Sequence, residues 1–126
     1  MPKHVPPVAH GPRPIGPYSV ATEAGGLVFV SGQIGLDPAT GKLVEGGVVA
    51  EAARIMENLG LILGDLGLGF ADVVKTTVLL ADIADFAAVN GVYGRHFGAA
   101  PPARSTFQVG ALPAGCRVEV EVIAAR

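Results

Sequence analysis

Tryptophan is missing from this chain, and two tyrosines and five phenylalanines make up its whole aromatic complement. That is too few for an obvious platform on which nucleobases stack. Charge is sparse as well: 16% of residues are charged, the formal net charge is −2, and lysine and arginine nowhere form a run. The basic stripe through which nucleic-acid binders attract phosphate is lacking, so no nucleic-acid partner is expected. Cys116 stands alone, which rules out an intrachain disulfide and fits a reducing compartment. No segment is long and apolar enough to span a bilayer, and the first 17 residues hold no apolar stretch of the secretory type. The simplest reading is a soluble cytoplasmic protein without a membrane partner. His4, His10 and His96 have no metal-ligand spacing, so no metal is expected. Neither a phosphate-cradling glycine loop nor a serine nucleophile elbow occurs.

What the chain does have is apolar residues, half of its 126. One domain of this length can bury a real core. A monomer this apolar would still show a sizeable apolar patch, so a homo-oligomer that covers part of it is expected.

Residues 1–17, with six prolines, read as an extended and poorly ordered arm before a single domain over 18–126. Strands are predicted over Tyr18–Glu23 and Leu27–Gln33, joined at Ala24-Gly25-Gly26. A helix is predicted from about Val48 to Leu66, with Val49, Ala52, Met56, Leu59, Leu63 and Leu66 as its apolar stripe. Val73–Leu80 reads as a buried strand. A second helix is predicted over Ile83–Phe97, capped by Asp82, with Asn90 on its otherwise apolar inward face. Strands over Arg104–Val109 and Arg117–Ala124 close an α+β chain of order ββαβαββ, with both helices on one sheet face.

The last two strands carry the most chemistry. In the first, Arg104, Thr106 and Gln108 share a side; in the second, Val118, Val120 and Val122 face one way and Glu119 and Glu121 the other. The simplest pairing makes these strands a hairpin and puts Arg104 and Glu119 together on the helix-free face. A guanidinium there suits bidentate capture of a small carboxylate, and a half-buried carboxylate suits proton transfer. The plainer alternatives are an Arg104 ion pair with Glu119 or Glu121, and a solvated Glu119. Tyr18 after Gly16-Pro17, and Ser31-Gly32-Gln33 at a strand end, are weaker candidates. Cys116, with no nearby histidine, reads as a small buried hydrophobe.

Taken together, Ile15-Gly16-Pro17-Tyr18, Ser31-Gly32-Gln33, Val74-Lys75-Thr76-Thr77-Val78, Asp85-Phe86-Ala87-Ala88-Val89-Asn90, Pro102-Ala103-Arg104-Ser105 and Val118-Glu119-Val120-Glu121-Val122-Ile123-Ala124 resemble the RidA/YjgF family of enamine/imine deaminases. The resemblance implies a chorismate-mutase-like fold, with the final strand inserted between earlier ones, and a homotrimer with sites between subunits. It implies hydrolysis of short 2-imino acids to 2-keto acids and ammonia, without a cofactor. Arg104 would bind the substrate carboxylate and Glu119 would activate water. Tyr18, Ser31, Gly32, Asn90 and Thr106 would line the cleft. Thr106 stands where the deaminase branch commonly has cysteine. Three alternatives remain open at this point: a larger enamine substrate such as an aminomuconate, a ribonuclease or translation inhibitor, and a non-catalytic small-carboxylate binding or stress-protective protein.

Overall fold

Two adjacent glycines begin the sheet. Gly25 and Gly26 both take positive φ (61° and 81°), as a two-residue turn matched to strand twist requires, and side chains other than glycine resist that conformation. They join β1 (Ala21–Ala24) to β2 (Leu27–Gln33) as an antiparallel hairpin. The computed structural model describes residues 2–126. It continues through α1 (Val48–Asp65), β3 (Val73–Leu80), α2 (Phe86–Tyr93), β4 (Ala103–Gln108) and β5 (Val118–Ala125), the expected ββαβαββ order. The second helix is shorter than its pattern suggests, because single 3-10 turns, Ile83–Asp85 and Gly94–His96, flank it. Asp82 caps the first of these, accepting from the Ala84 amide at 2.9 Å.

The five strands form one mixed sheet of order β1-β2-β5-β3-β4. β5 pairs antiparallel with both β2 and β3, so those two run parallel to each other on either side of it. β4 pairs parallel with β3 at the far edge. The hairpin of the last two strands is therefore not formed, and the inserted final strand is. Burial fits the choice: Val118, Val120, Val122 and Ala124 are at most 2% exposed, as residues of an interior strand beneath the helix layer are.

α1 packs Ala52, Ile55, Met56, Leu59, Ile62 and Leu63 onto that face, and α2 adds Val89, Val92 and Tyr93. Val49, expected in the stripe, is half exposed, and Ile55 and Ile62 take the inward positions. A buried leucine such as Leu59 typically contributes enough that truncation to alanine costs about 2–5 kcal/mol. Two polar side chains under the helix layer are matched: Glu51 accepts from the Arg117 amide at 2.8 Å, and the Asn58 side-chain amide donates to the Leu36 carbonyl at 2.8 Å. Cys116 is buried as expected, and burial first, then Glu51 and Glu119, push its thiol up to about 11. No helix among the described residues is long and apolar enough to cross a membrane.

The N-terminal arm is not loose, which corrects the reading from its prolines. Asp65, at the end of α1, accepts from the amides of Ala9 (3.0 Å) and His10 (2.7 Å), and its other oxygen meets His10 Nδ1 at 2.7 Å. His4 bridges Glu23 of β1 through the backbone, and Pro6 and Pro12 are buried. Proline loses little entropy on ordering, so a few anchoring bonds suffice to dock such a segment.

The sheet face away from the helices is uncovered. Phe29 lies beside Ile123, and Phe107 beside Leu79; Phe107 is 55% exposed and Phe29 42%. This is the apolar patch that composition led us to expect.

Candidate active site

Strand register decides which candidate residues meet. Val30, Val122, Thr76 and Arg104 are aligned across the sheet, and Val122 and Thr76 lie under the helices, so Arg104 points to the helix side. Glu119 is aligned with Leu79 and Phe107, and Glu121 with Thr77 and Ser105, on the open side. Arg104 and Glu119 of one chain thus face opposite ways, against the expectation of a shared polar side. The polar residues of β4 face the helices because β4 is the edge strand, where the helix layer ends and leaves room for a long side chain.

On the helix side Arg104 lies over two rings of α2, with its guanidinium carbon 4.8 Å from the Tyr93 centroid and 5.4 Å from the Phe86 centroid. Such contacts are worth about 0.5–2 kcal/mol and hold the planar fork in one orientation. Tyr93 is itself fixed: its hydroxyl is 2.7 Å from Thr76 Oγ1, and its ring packs on Phe97 at 4.7 Å. Arg104 forms no ion pair with Glu119 or Glu121, so the plain structural reading of this arginine does not hold. Asn90 falls between Phe86 and Tyr93 on one helical face, and Thr106 follows Arg104 on the same side of β4. Asn90 Oδ1 and Thr106 Oγ1 are buried without a hydrogen-bond partner among the described residues. A buried polar atom left unpaired typically costs about 1–3 kcal/mol, which makes these two oxygens, on the same side of the sheet as Arg104, candidate partners for a polar ligand.

The second cluster surrounds a cavity of about 370 Å³ lined by Tyr18, Ser31, Gly32, Glu119 and Glu121, together with Arg13. Glu119 is half-buried, and its carboxyl is raised from the usual range, first by burial and then by the charge of Glu121 beside it. That is the environment of a proton-transfer group. Gly32 is required by close approach, since a Cβ there would overlap the Glu119 carboxylate. Tyr18 lies before β1, not inside a strand as predicted; its hydroxyl accepts from the Ile15 amide at 3.2 Å, which folds the phenol back toward the cavity. The Ser31 hydroxyl donates to the Ser19 carbonyl at 2.6 Å and so tethers the Tyr18 loop.

The structure therefore gathers the candidate residues into two groups: Arg104, Asn90 and Thr106 on one face, and Tyr18, Ser31, Gly32 and Glu119 on the other. Arg13 was missed because it lies in a segment read as disordered. The available signal was Pro12-Arg13-Pro14, two fixed φ angles flanking a cation.

Residues 8–126 match the family model described as Endoribonuclease L-PSP. The chain is 56% identical over 115 residues to Protein DfrA of Myxococcus xanthus, covering 90% of this chain and 88% of that one. It is 54% identical over 116 residues to the 2-iminobutanoate/2-iminopropanoate deaminase of Capra hircus (92% of this chain, 85% of the relative). Among solved structures it is similar to a putative endoribonuclease L-PSP from Entamoeba histolytica, at 42% identity and a TM-score of 0.93 over 99% of this chain and 100% of that one. It is also similar to E. coli TdcF with bound serine, at 39% identity and a TM-score of 0.85 over 92% of this chain and 93% of that one. A family match over nearly the whole length and relatives above half identity lead to one conclusion: this chain belongs to the RidA/YjgF family, also described as Endoribonuclease L-PSP.

Proposed function

We infer that this chain is an enzyme, a deaminase that hydrolyses 2-iminobutanoate and 2-iminopropanoate to 2-keto acids and ammonia. The observation that carries this reading is its 51–54% identity to the curated goat and human deaminases of that name, over 92% of its length. The names of these relatives favour it over the ribonuclease, aminomuconate and carboxylate-binding readings.

The two half-sites suit the chemistry. Arg104 holds the substrate carboxylate through two parallel hydrogen bonds, and Asn90 and Thr106 offer their unpaired oxygens to the substrate nitrogen or to a water. Glu119 takes a proton from water as its oxygen bonds to the C=N carbon. It returns this proton to nitrogen to complete the carbinolamine, then takes the carbinolamine hydroxyl proton and passes it to nitrogen as the C=O bond forms, the C–N bond breaks and ammonia leaves. Proton transfer of this kind contributes about 10²–10⁴-fold. Tyr18, Ser31 and the Gly32 backbone border the water side. No metal or organic cofactor enters the scheme.

Because Arg104 and Glu119 of one chain face opposite ways, one substrate reaches both only where two copies meet. The uncovered apolar face around Phe29 and Phe107 is the surface for that contact. The assembly consistent with this is a chorismate-mutase-like homotrimer with sites between subunits, acting in the cytoplasm on a small-molecule substrate.

The test adds the protein to a threonine dehydratase reaction containing semicarbazide. Faster 2-oxobutanoate release with less trapped imine, lost in Arg104→Ala, is expected; no acceleration by the folded oligomer would overturn the reading.

A further inference from the structure

Among the described residues, Arg13 is the only basic one lining the cavity that holds Glu119 and Glu121, and it forms no ion pair with either. Its backbone is set on both sides. Pro14 confines Arg13 to extended geometry, and Pro12, itself buried, fixes the step before it. Gly11 (φ 83°) packs against Ile62 of α1, and the Asp65 contacts to Ala9 and His10 anchor the segment further back. The guanidinium is presented by a docked strap, not by a free tail.

Arg13 also borders a second, broader depression of about 1040 Å³, which shares Pro12, Pro14, Tyr18 and Val20 with the first. The two spaces differ in charge. Both acids line the inner cavity; among the described residues the outer depression has no acidic lining residue, and its ionisable groups other than Tyr18 are His10 and Arg13. A three- or four-carbon imino acid bound at the reacting centre leaves the outer space empty. A longer substrate whose tail ends in an anion would place that end where an exposed, unpaired cation stands on an anchored backbone and no carboxylate repels it.

Resting on the deaminase reading, we propose that Arg13 is a specificity-determining residue that binds the distal carboxylate of acidic 2-imino acids, so that the substrate range extends to imino dicarboxylates. Arg104 takes the carboxylate next to the imine and Arg13 takes the remote one. The reaction is unchanged: water adds to the C=N carbon, and ammonia leaves to give a 2-keto dicarboxylate. Such imines are made wherever an amino-acid oxidase or dehydrogenase removes hydride from an acidic amino acid.

The experiment compares 2-iminoglutarate with 2-iminobutanoate, each generated in situ by an amino-acid oxidase with catalase and followed by loss of semicarbazide-trapped product. Binding of the stable products 2-oxoglutarate and 2-oxobutanoate is measured alongside by calorimetry. In Arg13→Ala the ratio of kcat/KM for the dicarboxylate over the monocarboxylate should fall roughly 10- to 100-fold, the range a hydrogen bond to a charged group gives, mainly through KM. Arg13→Lys should restore part of it. An unchanged ratio, an equal fall for both substrates, or no use and no binding of the dicarboxylate by the native protein would overturn the proposal. If neither imine is turned over but 2-oxoglutarate binds in an Arg13-dependent way, the deaminase reading falls and the anion site stands.

Discussion

Arg104 and Glu119 belong to neighbouring parts of one sheet and yet face opposite ways: Arg104 is aligned with Thr76 under the helices, and Glu119 with Leu79 on the open face. Each is built into its own surroundings. Two aromatic rings hold Arg104, and the absent side chain of Gly32 leaves space for Glu119. A site using both has to be assembled from two chains, which makes the division of labour testable.

Mixed oligomers test it most directly. Arg104→Ala and Glu119→Gln, each expected to be nearly inactive alone, should regain a fraction of native turnover when co-expressed, because some clefts then receive both native residues. Activity of the mixture no higher than that of the separate variants would place both residues in the same chain's site.

Glu119→Gln should lower kcat by about 10²–10⁴-fold with a smaller change in KM. The native pH profile should have an acid limb above 4.5, because the carboxyl is raised and acts ionised. Glu121→Gln should move that limb down, since the Glu121 charge is one of its causes. The stability sign is the reverse of the usual carboxylate case. The folded protein holds this proton longer than the unfolded chain, so stability falls as pH rises from 4.5 through the folded value. Glu119→Gln should therefore raise Tm at neutral pH, a check that uses calorimetry and no substrate.

Gly32→Ala should keep the fold and lose activity. The added Cβ overlaps the Glu119 carboxylate, which is the far end of a flexible side chain and swings aside. A native Tm with turnover reduced at least as far as in Glu119→Gln is expected; native turnover would mean that the carboxylate acts from another position.

Asp65→Asn should release the N-terminal strap. Its carboxyl is lowered, first by the His10 amide and then by the His10 ring, so this anchorage is present above about 3.8 and lost as pH falls through the folded value. Lower protection factors at Ala9 and His10, taken against the intrinsic exchange rate at each pH, are the expected readout in the variant and in the native protein under acid.

Phe107→Asp should break the assembly without unfolding the chain, because Phe107 is 55% exposed on the open face. Sedimentation should show smaller species, and activity should fall with them. An unchanged oligomer would locate the subunit contact elsewhere.

Much of this was legible from residues near each other in the chain. The Gly25-Gly26 turn, the α1 and β3 boundaries and the alternation of Val118, Val120 and Val122 against Glu119 and Glu121 follow from local geometry, and the structure bears them out. The motif strings pointed to the family. Two readings failed for the same physical reason. The alternation of β4 says that Arg104 and Thr106 share a side, but not which side, since that depends on where a helix layer ends. The strap's prolines speak for extension, but docking depends on Asp65, more than fifty residues away.

The sequence by itself determined the periods: which residues alternate, which turn, and which face of each element is apolar, because these depend on contacts a few residues apart. Only the tertiary structure decided how those faces combine. β5 lies between β2 and β3 because its valines gain most from burial under both helices, and that insertion sends Glu119 to the open face while the edge position of β4 turns Arg104 beneath α2. Strand order is set by the global burial of apolar surface, which no local pattern encodes.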